Sequence, residues 1–294
     1  MEGIPFIRDG VSIVNLSKQN PINVMGFLSQ LPSENLEDNS FQNQILFCTE
    51  KPKRIKLVDA ADNNPYHLFF YMIARFYYVD NGSSPIVFYY PKCRTLCEGA
   101  LRALPPHFVR KEDREEAVEY VQTPTCDWRE DYINEEWIYS YMRNLYSHIW
   151  KDTQKEKGKR IYVTRSKRDV GARAILNEED LKPVLKGLGI SCYSLENMTF
   201  VDTVRLFKSA EFVTGAHGAG LSWLIFCDPG TTVCEIYKRE DKKRHFLHLS
   251  SSIGLRHVRF GGVDTGGDSG EDAHMTVDLK EYEKFVRNLY TNQK

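Results

Sequence analysis

From residue 161 to residue 237, short apolar runs alternate with amphipathic stretches, and this alternation limits the possible folds more than any other feature. Ile161 to Thr164, Ser191 to Ser194, Phe212 to Gly215 and Thr232 to Tyr237 read as strands. Asn177 to Leu188, Thr199 to Ser209 and Gly218 to Phe226 read as the helices between them. A strand that joins a parallel neighbour needs a crossover of about a dozen residues, which a helix supplies. The pattern therefore predicts an α/β fold with a doubly wound parallel sheet. Right-handed crossovers place the C-terminal ends of the strands along one edge, where such sheets bind ligands. A last amphipathic helix is expected over Asp278 to Tyr290, after a Gly- and Asp-rich loop from Gly261 to Ala273 with the composition of a mobile segment.

The first half has a pattern of its own. Gln44 to Cys48, Ile55 to Val58 and Ile86 to Tyr90 read as buried strands. Pro65 to Val79, Arg94 to Leu104 and Asn134 to Asp152 read as helices, the last with Trp137, Tyr141, Leu145, His148 and Ile149 on one side. Lys151 to Arg160 is rich in basic residues and nearly free of apolar ones, which suits a linker. A chain of 294 residues, 41% of them hydrophobic, has material for two ordinary cores. The expected division is 1–155, 156–275 and a terminal helix at 276–294 that is free to pack back on the first domain.

Composition excludes several classes. Lys and Arg number 39 against 40 Asp and Glu, so the chain lacks the positive balance that a nucleic-acid backbone demands. No apolar run approaches the ~20 residues of a membrane span. The Met1 to Gly10 segment has no basic stretch followed by an apolar one. Seven cysteines at irregular spacing do not form a disulfide framework. Cys192, Cys227 and Cys234 lie in apolar runs and are expected in the core, and Cys93 and Cys97 on one helix face. A cytoplasmic location fits, with the Golgi or ER lumen as the alternative if an anchor has been removed.

Three segments carry candidate chemistry. Thr214 to Leu221 reads Thr-Gly-Ala-His-Gly-Ala-Gly-Leu between a strand and a helix. Gly215, Gly218, Ala219 and Gly220 are small enough for a ligand to approach the backbone, and the start of a helix attracts a diphosphate. His217 could bond a phosphate or sugar, or assist departure of a nucleotide. The same run could equally be a tight turn needed for helix–sheet packing. After the Ile161 strand come Arg165, Lys167, Arg168 and Arg173, then Asn177 in a helix-capping position. Guanidinium groups there suit a diphosphate, since they stay charged and grip two oxygens at once. A solvated basic loop is the alternative. Glu235 interrupts a buried strand, where an acid is costly unless paired or at the ligand edge. It could read ribose hydroxyls or pair with a loop arginine.

These segments together resemble the catalytic half of the family 61 glycosyltransferases. The resemblance rests on Arg165 to Arg168, Arg173 to Glu178, Gly215 to Leu221 and Pro229 to Ile236, in that order. It implies a GT-B type fold: two Rossmann-like domains with a cleft between them, the N-terminal one on the acceptor side. It also implies transfer of xylose, arabinose or N-acetylglucosamine from a UDP-sugar co-substrate, with inversion and without a bound metal, to a hydroxyl of a glycan or glycoprotein. The donor site would comprise Arg165, Arg168, Arg173, Asn177, Gly215, His217, Gly218, Ala219, Gly220, Leu221 and Glu235. Two departures stand out. Ser222-Trp223 follows the glycine run where members carry Thr-Asn, and Tyr71 stands four residues after His67 where members carry an Asp.

Inversion requires a general base within hydrogen-bond reach of the acceptor hydroxyl. Asp62 and His67, after the Ile55 strand, are the candidates. Their alternatives are a helix cap and a core histidine. Two other functions stay open, a sugar-nucleotide epimerase and a non-catalytic binding module. A dinucleotide oxidoreductase would need Gly-x-Gly-x-x-Gly, which the chain lacks.

Overall fold

The structure, a computed structural model, describes residues 5–8, 11–14, 44–47, 53–58, 64–78, 80, 82, 85–89, 95–111, 121–122, 136–150, 158–165, 174–238, 243–264 and 274–291. The chain forms two compact units, Met1–Ser147 and His148–Lys294.

In the first unit, β1 (Pro5–Arg8) and β2 (Val11–Val14) form an antiparallel pair. A five-stranded sheet contains β3 (Gln44–Phe47), β4 (Lys53–Val58), β5 (Ile86–Tyr89), β6 (Phe108–Lys111) and β7 (Val121–Gln122), in the order β6-β5-β4-β3-β7. Strands β4, β5 and β6 are parallel, while β3 runs antiparallel to β4 and to β7. The β4–β5 crossover begins with α1 (Pro65–His67), where Asn64 caps the Tyr66 amide and Pro65 occupies the first turn. It continues as a π turn, Leu68–Met72, and a 3-10 turn, Ile73–Tyr78, not as the single regular helix expected. Leu68, Phe69, Phe70, Met72, Ile73, Ala74 and Phe76 are all buried, more than a single helical face would bury. Tertiary packing, not one amphipathic face, sets its winding. Helix α2 (Thr95–Arg102) links β5 to β6, and α3 (Glu136–Leu145) sets Tyr139 5.8 Å from Phe70. Asp80 ties the end of the crossover to its surroundings, accepting from His107 Nε2 at 2.9 Å and Tyr141 Oη at 2.8 Å.

The second unit is built on β8 (Lys159–Val163), β9 (Ser191–Tyr193), β10 (Ala210–Ala216), β11 (Thr232–Lys238), β12 (Arg256–Asp264) and β13 (Met275–Thr276). Their order is β13-β12-β11-β10-β8-β9. The first five in sequence are parallel, and β13 closes the sheet antiparallel to β12. From β8 the chain crosses to β9 on one side, then returns to β10 on the other. The sheet is therefore doubly wound in the order 2-1-3-4-5, with its switch point between β8 and β10.

The two crossovers lie on opposite faces. Helix α4 (Glu178–Gly187), which ends before Gly189 at φ +71°, shares one face with α7 (Leu279–Thr291). Leu181, Leu185, Tyr282, Val286 and Leu289 meet Tyr162, Phe212, Cys234, Ile236 and Phe260 there. The terminal helix thus belongs to the core of its own unit, and Tyr282 Oη lies 2.8 Å from Thr214 Oγ1. On the other face, α5 (Phe200–Ser209) sets Phe200 5.4 Å and Phe207 6.5 Å from Trp223.

Sequence reasoning missed several features here. The stretch expected as an α-helix after the glycine run is a 3-10 helix, Ala219–Phe226, buried from Leu221 to Phe226. Helix α6 (His245–Ser252) and strand β12 were not foreseen, and β12 takes up Gly261–Asp264 of the expected mobile loop. Cys227 and Cys234 are buried as expected, but Cys192 is exposed, on β9 at the edge of the sheet among the described residues. His148 is exposed rather than on the packed side of its helix. Among the described residues, no helix is long and apolar enough to cross a membrane.

Candidate functional site

The switch point brings the ends of β8 and β10 together. Val163 stands opposite Gly215, and the chain leaves the two strands through Arg165 and through His217-Gly218. A Cβ on Gly215 would lie 3.0 Å from the Val163 carbonyl oxygen, and one on Gly220 3.1 Å from Val163 Cγ1. A Cβ on Gly218 would lie 3.1 Å from Nη1 of Arg165. The small residues therefore let the turn lie against the end of β8 and against the arginine. Arg165 Nη1 donates to the His217 carbonyl at 3.1 Å. The His217 amide donates to the Ile236 carbonyl at 2.8 Å, and the Leu221 amide closes onto the Gly218 carbonyl at 2.9 Å. The turn is thus held from β8, from β11 and from within.

Behind it lies a polar cluster. Glu235, on β11 and 1% exposed, engages His217 Nδ1 through Oε1. Its Oε2 receives His257 Nε2 at 3.0 Å and lies 3.1 Å from Arg259 Nε. Burial pushes the Glu235 carboxyl upward, but hydrogen bonds and charge from His217 and His257 outweigh it and hold the group at about 2. Glu235 is therefore an ionised carboxylate inside the protein. His257 Nδ1 lies 2.8 Å from Ser250 Oγ of α6. The Arg259 guanidinium stacks 3.8 Å from the Tyr237 ring. The His217 ring also lies 5.1 Å from Phe246 and 6.1 Å from His245.

The structure joins some expected site residues and separates others. Arg165, Gly215, His217, Gly218, Ala219 and Gly220 converge at the switch point. Leu221 is near them in sequence, but its side chain is buried in the core. Asn177 does not cap its helix with its side chain. It clamps the approach to α7, donating to the Val277 carbonyl and accepting from the Val277 amide, both at 2.9 Å. Both its polar groups are thereby occupied by backbone. The two oxygens of Glu235 are likewise engaged, by β12 and the His217 turn, and the carboxylate is buried. Among the described residues, its arginine neighbour is Arg259. Arg168, Arg173 and Asp62 lie outside the described residues. His67 is half-buried at the end of α1, directly after the β4 connection.

His257, Arg259 and Ser250 were not anticipated. One signal was available: from His257 to Phe260, His-Val-Arg-Phe, polar and apolar residues alternate with the period of a strand. Among the described residues, no group of three or more His, Cys, Asp or Glu side chains is arranged to hold a metal ion.

A family model described as Glycosyltransferase 61 matches residues 66–234, more than half of the chain. The EGF domain-specific O-linked N-acetylglucosamine transferase of Bos taurus is 30% identical over 135 residues, 44% of this chain and 25% of that protein. Its counterpart in Drosophila melanogaster is 24% identical over 141 residues, 43% of this chain and 27% of the relative. The beta-1,2-xylosyltransferase of Arabidopsis thaliana is 36% identical over 63 residues, 21% of this chain and 12% of that protein. The matched stretch thus spans about a quarter or less of each of these relatives.

Proposed function

The chain belongs to glycosyltransferase family 61, and from this premise we propose that it transfers a sugar from a UDP-sugar to a hydroxyl of a glycan or glycoprotein. The sugar class is xylose, arabinose or N-acetylglucosamine; relatives named for the first and the last support this. The observation that carries the reading is the convergence of Arg165 with the Gly215–Gly220 turn at the switch point of the second unit. That is where doubly wound sheets bind nucleotides.

The reaction is a single displacement. The acceptor oxygen bonds to the anomeric carbon as the bond from that carbon to the diphosphate oxygen breaks on the opposite face. A general base takes the hydroxyl proton, and the diphosphate leaves with the bonding electrons. Arg165, with Arg168 and Arg173 from the same loop, opposes the charge that develops on it. Asp62 and His67 are the proposed bases, and GT-B is the proposed fold class. No metal takes part. In this scheme the arginines alone offset the diphosphate charge.

Calorimetry with UDP tests the donor site. Arg165→Ala should weaken binding at least about tenfold, the value of a charge-assisted hydrogen bond. Unchanged affinity would remove Arg165 from the site. A second reading, a module that binds the donor without turnover, is favoured by Tyr71 in place of an acid four residues after His67. Product analysis over a panel of UDP-sugars and acceptors separates these readings, and free epimerised donor would identify an epimerase.

A further inference from the structure

We propose that His257, steadied by Ser250, is a positioning residue that fixes the ring orientation and tautomer of His217 through the shared carboxylate of Glu235. This rests on the donor-site reading and extends it to residues one layer behind the turn.

Glu235 touches both imidazoles, one on each oxygen. An ionised carboxylate can only accept hydrogen bonds, so each facing ring nitrogen carries a proton. His257 therefore has its hydrogen on Nε2, and in the neutral ring its Nδ1 accepts from the Ser250 hydroxyl. Every polar atom of that ring is matched. His217 has its hydrogen on Nδ1, which leaves Nε2 as the atom that can exchange a proton or a hydrogen bond with a ligand at the turn.

The groups facing Glu235 come from two elements: His217 from the turn after β10, and His257 and Arg259 from β12. His257 and Arg259 hold Oε2, so Oε1 stays directed at His217. Without the His257 bond the carboxylate could rotate toward Arg259, and His217 would lose the partner that selects its tautomer. A carboxylate behind an imidazole performs this same orienting task in acyl-transfer enzymes. In this chain the second histidine orients the carboxylate in turn.

The test uses the full chain with 15N-labelled histidine. Long-range proton–nitrogen spectra read each ring's tautomer, and calorimetry with UDP reads the donor site. In the wild type, neutral His217 should carry its proton on Nδ1 and neutral His257 on Nε2. His257→Leu should give His217 a mixed tautomer and weaken UDP binding roughly tenfold, about the worth of one charge-assisted hydrogen bond. His257→Gln, whose amide can donate to Oε2, should restore both readouts. Ser250→Ala is the milder variant and should shift both in the same direction by less. A wild-type His217 spectrum in folded His257→Leu, or in Ser250→Ala should the former not fold, would overturn the proposal. Failure of UDP to bind the wild type would count against the donor-site reading instead, while the spectra would still decide the positioning role.

Discussion

Glu235 is the residue with most at stake. A buried carboxylate is tolerated because two imidazoles and a guanidinium surround it. Its carboxyl is held at about 2 against an ordinary 4.5, so its stabilising effect is complete above about 4.5 and is lost as pH falls toward 2. Glu235→Gln should lower stability by about 3–5 kcal/mol at neutral pH, as expected when one partner of a buried charge cluster is removed. The stability difference between wild type and variant, from denaturant unfolding at several pH values, should narrow across that acid window. A difference that stays flat down to pH 2 would contradict the ionised assignment. The sequence marked Glu235 as anomalous for a strand interior. Its partners stayed hidden because His257 is 22 residues away along the chain.

At the scale of elements, the strand–turn–3-10 unit from Ala210 to Phe226 explains the glycines. The sequence reading offered close ligand approach or close packing, and the geometry gives packing a definite target, Val163 and Arg165. Gly215→Ala should destabilise the protein by about 1–3 kcal/mol, because backbone of a central strand cannot yield as a flexible side chain would. Gly187→Ala, at the end of α4 with nothing within 4 Å of a new Cβ, should instead gain up to about 1 kcal/mol. Thermal or denaturant unfolding of the two variants checks the opposite signs. The 3-10 winding of Ala219–Phe226 was beyond pattern reading, because a run apolar on all sides has no periodicity to betray its pitch.

At the scale of the whole molecule, each unit has a multistranded sheet of its own, mixed in the first and parallel but for β13 in the second. Ligand binding to the native state raises its stability, by about 2.7 kcal/mol when the ligand is at a hundred times its dissociation constant. A thermal-shift screen should therefore rank UDP-sugars above the free sugars. Equal shifts for both would place recognition elsewhere than on the diphosphate. Chelation should leave transfer unchanged; loss on chelation that manganese restores would contradict the metal-free reading.

The sequence by itself determined the alternation of strands and helices in the second unit, the basic and glycine-rich loops at its switch point, and the likeness to family 61. All of these are local, written in periodicity and in contiguous runs. Only the tertiary structure decided that Asn177 clamps Val277, that Glu235 faces inward to two histidines, and that β12 supplies the second of them. Those facts depend on which distant strands become neighbours, and strand order is set by the packing of whole elements, which no local pattern encodes.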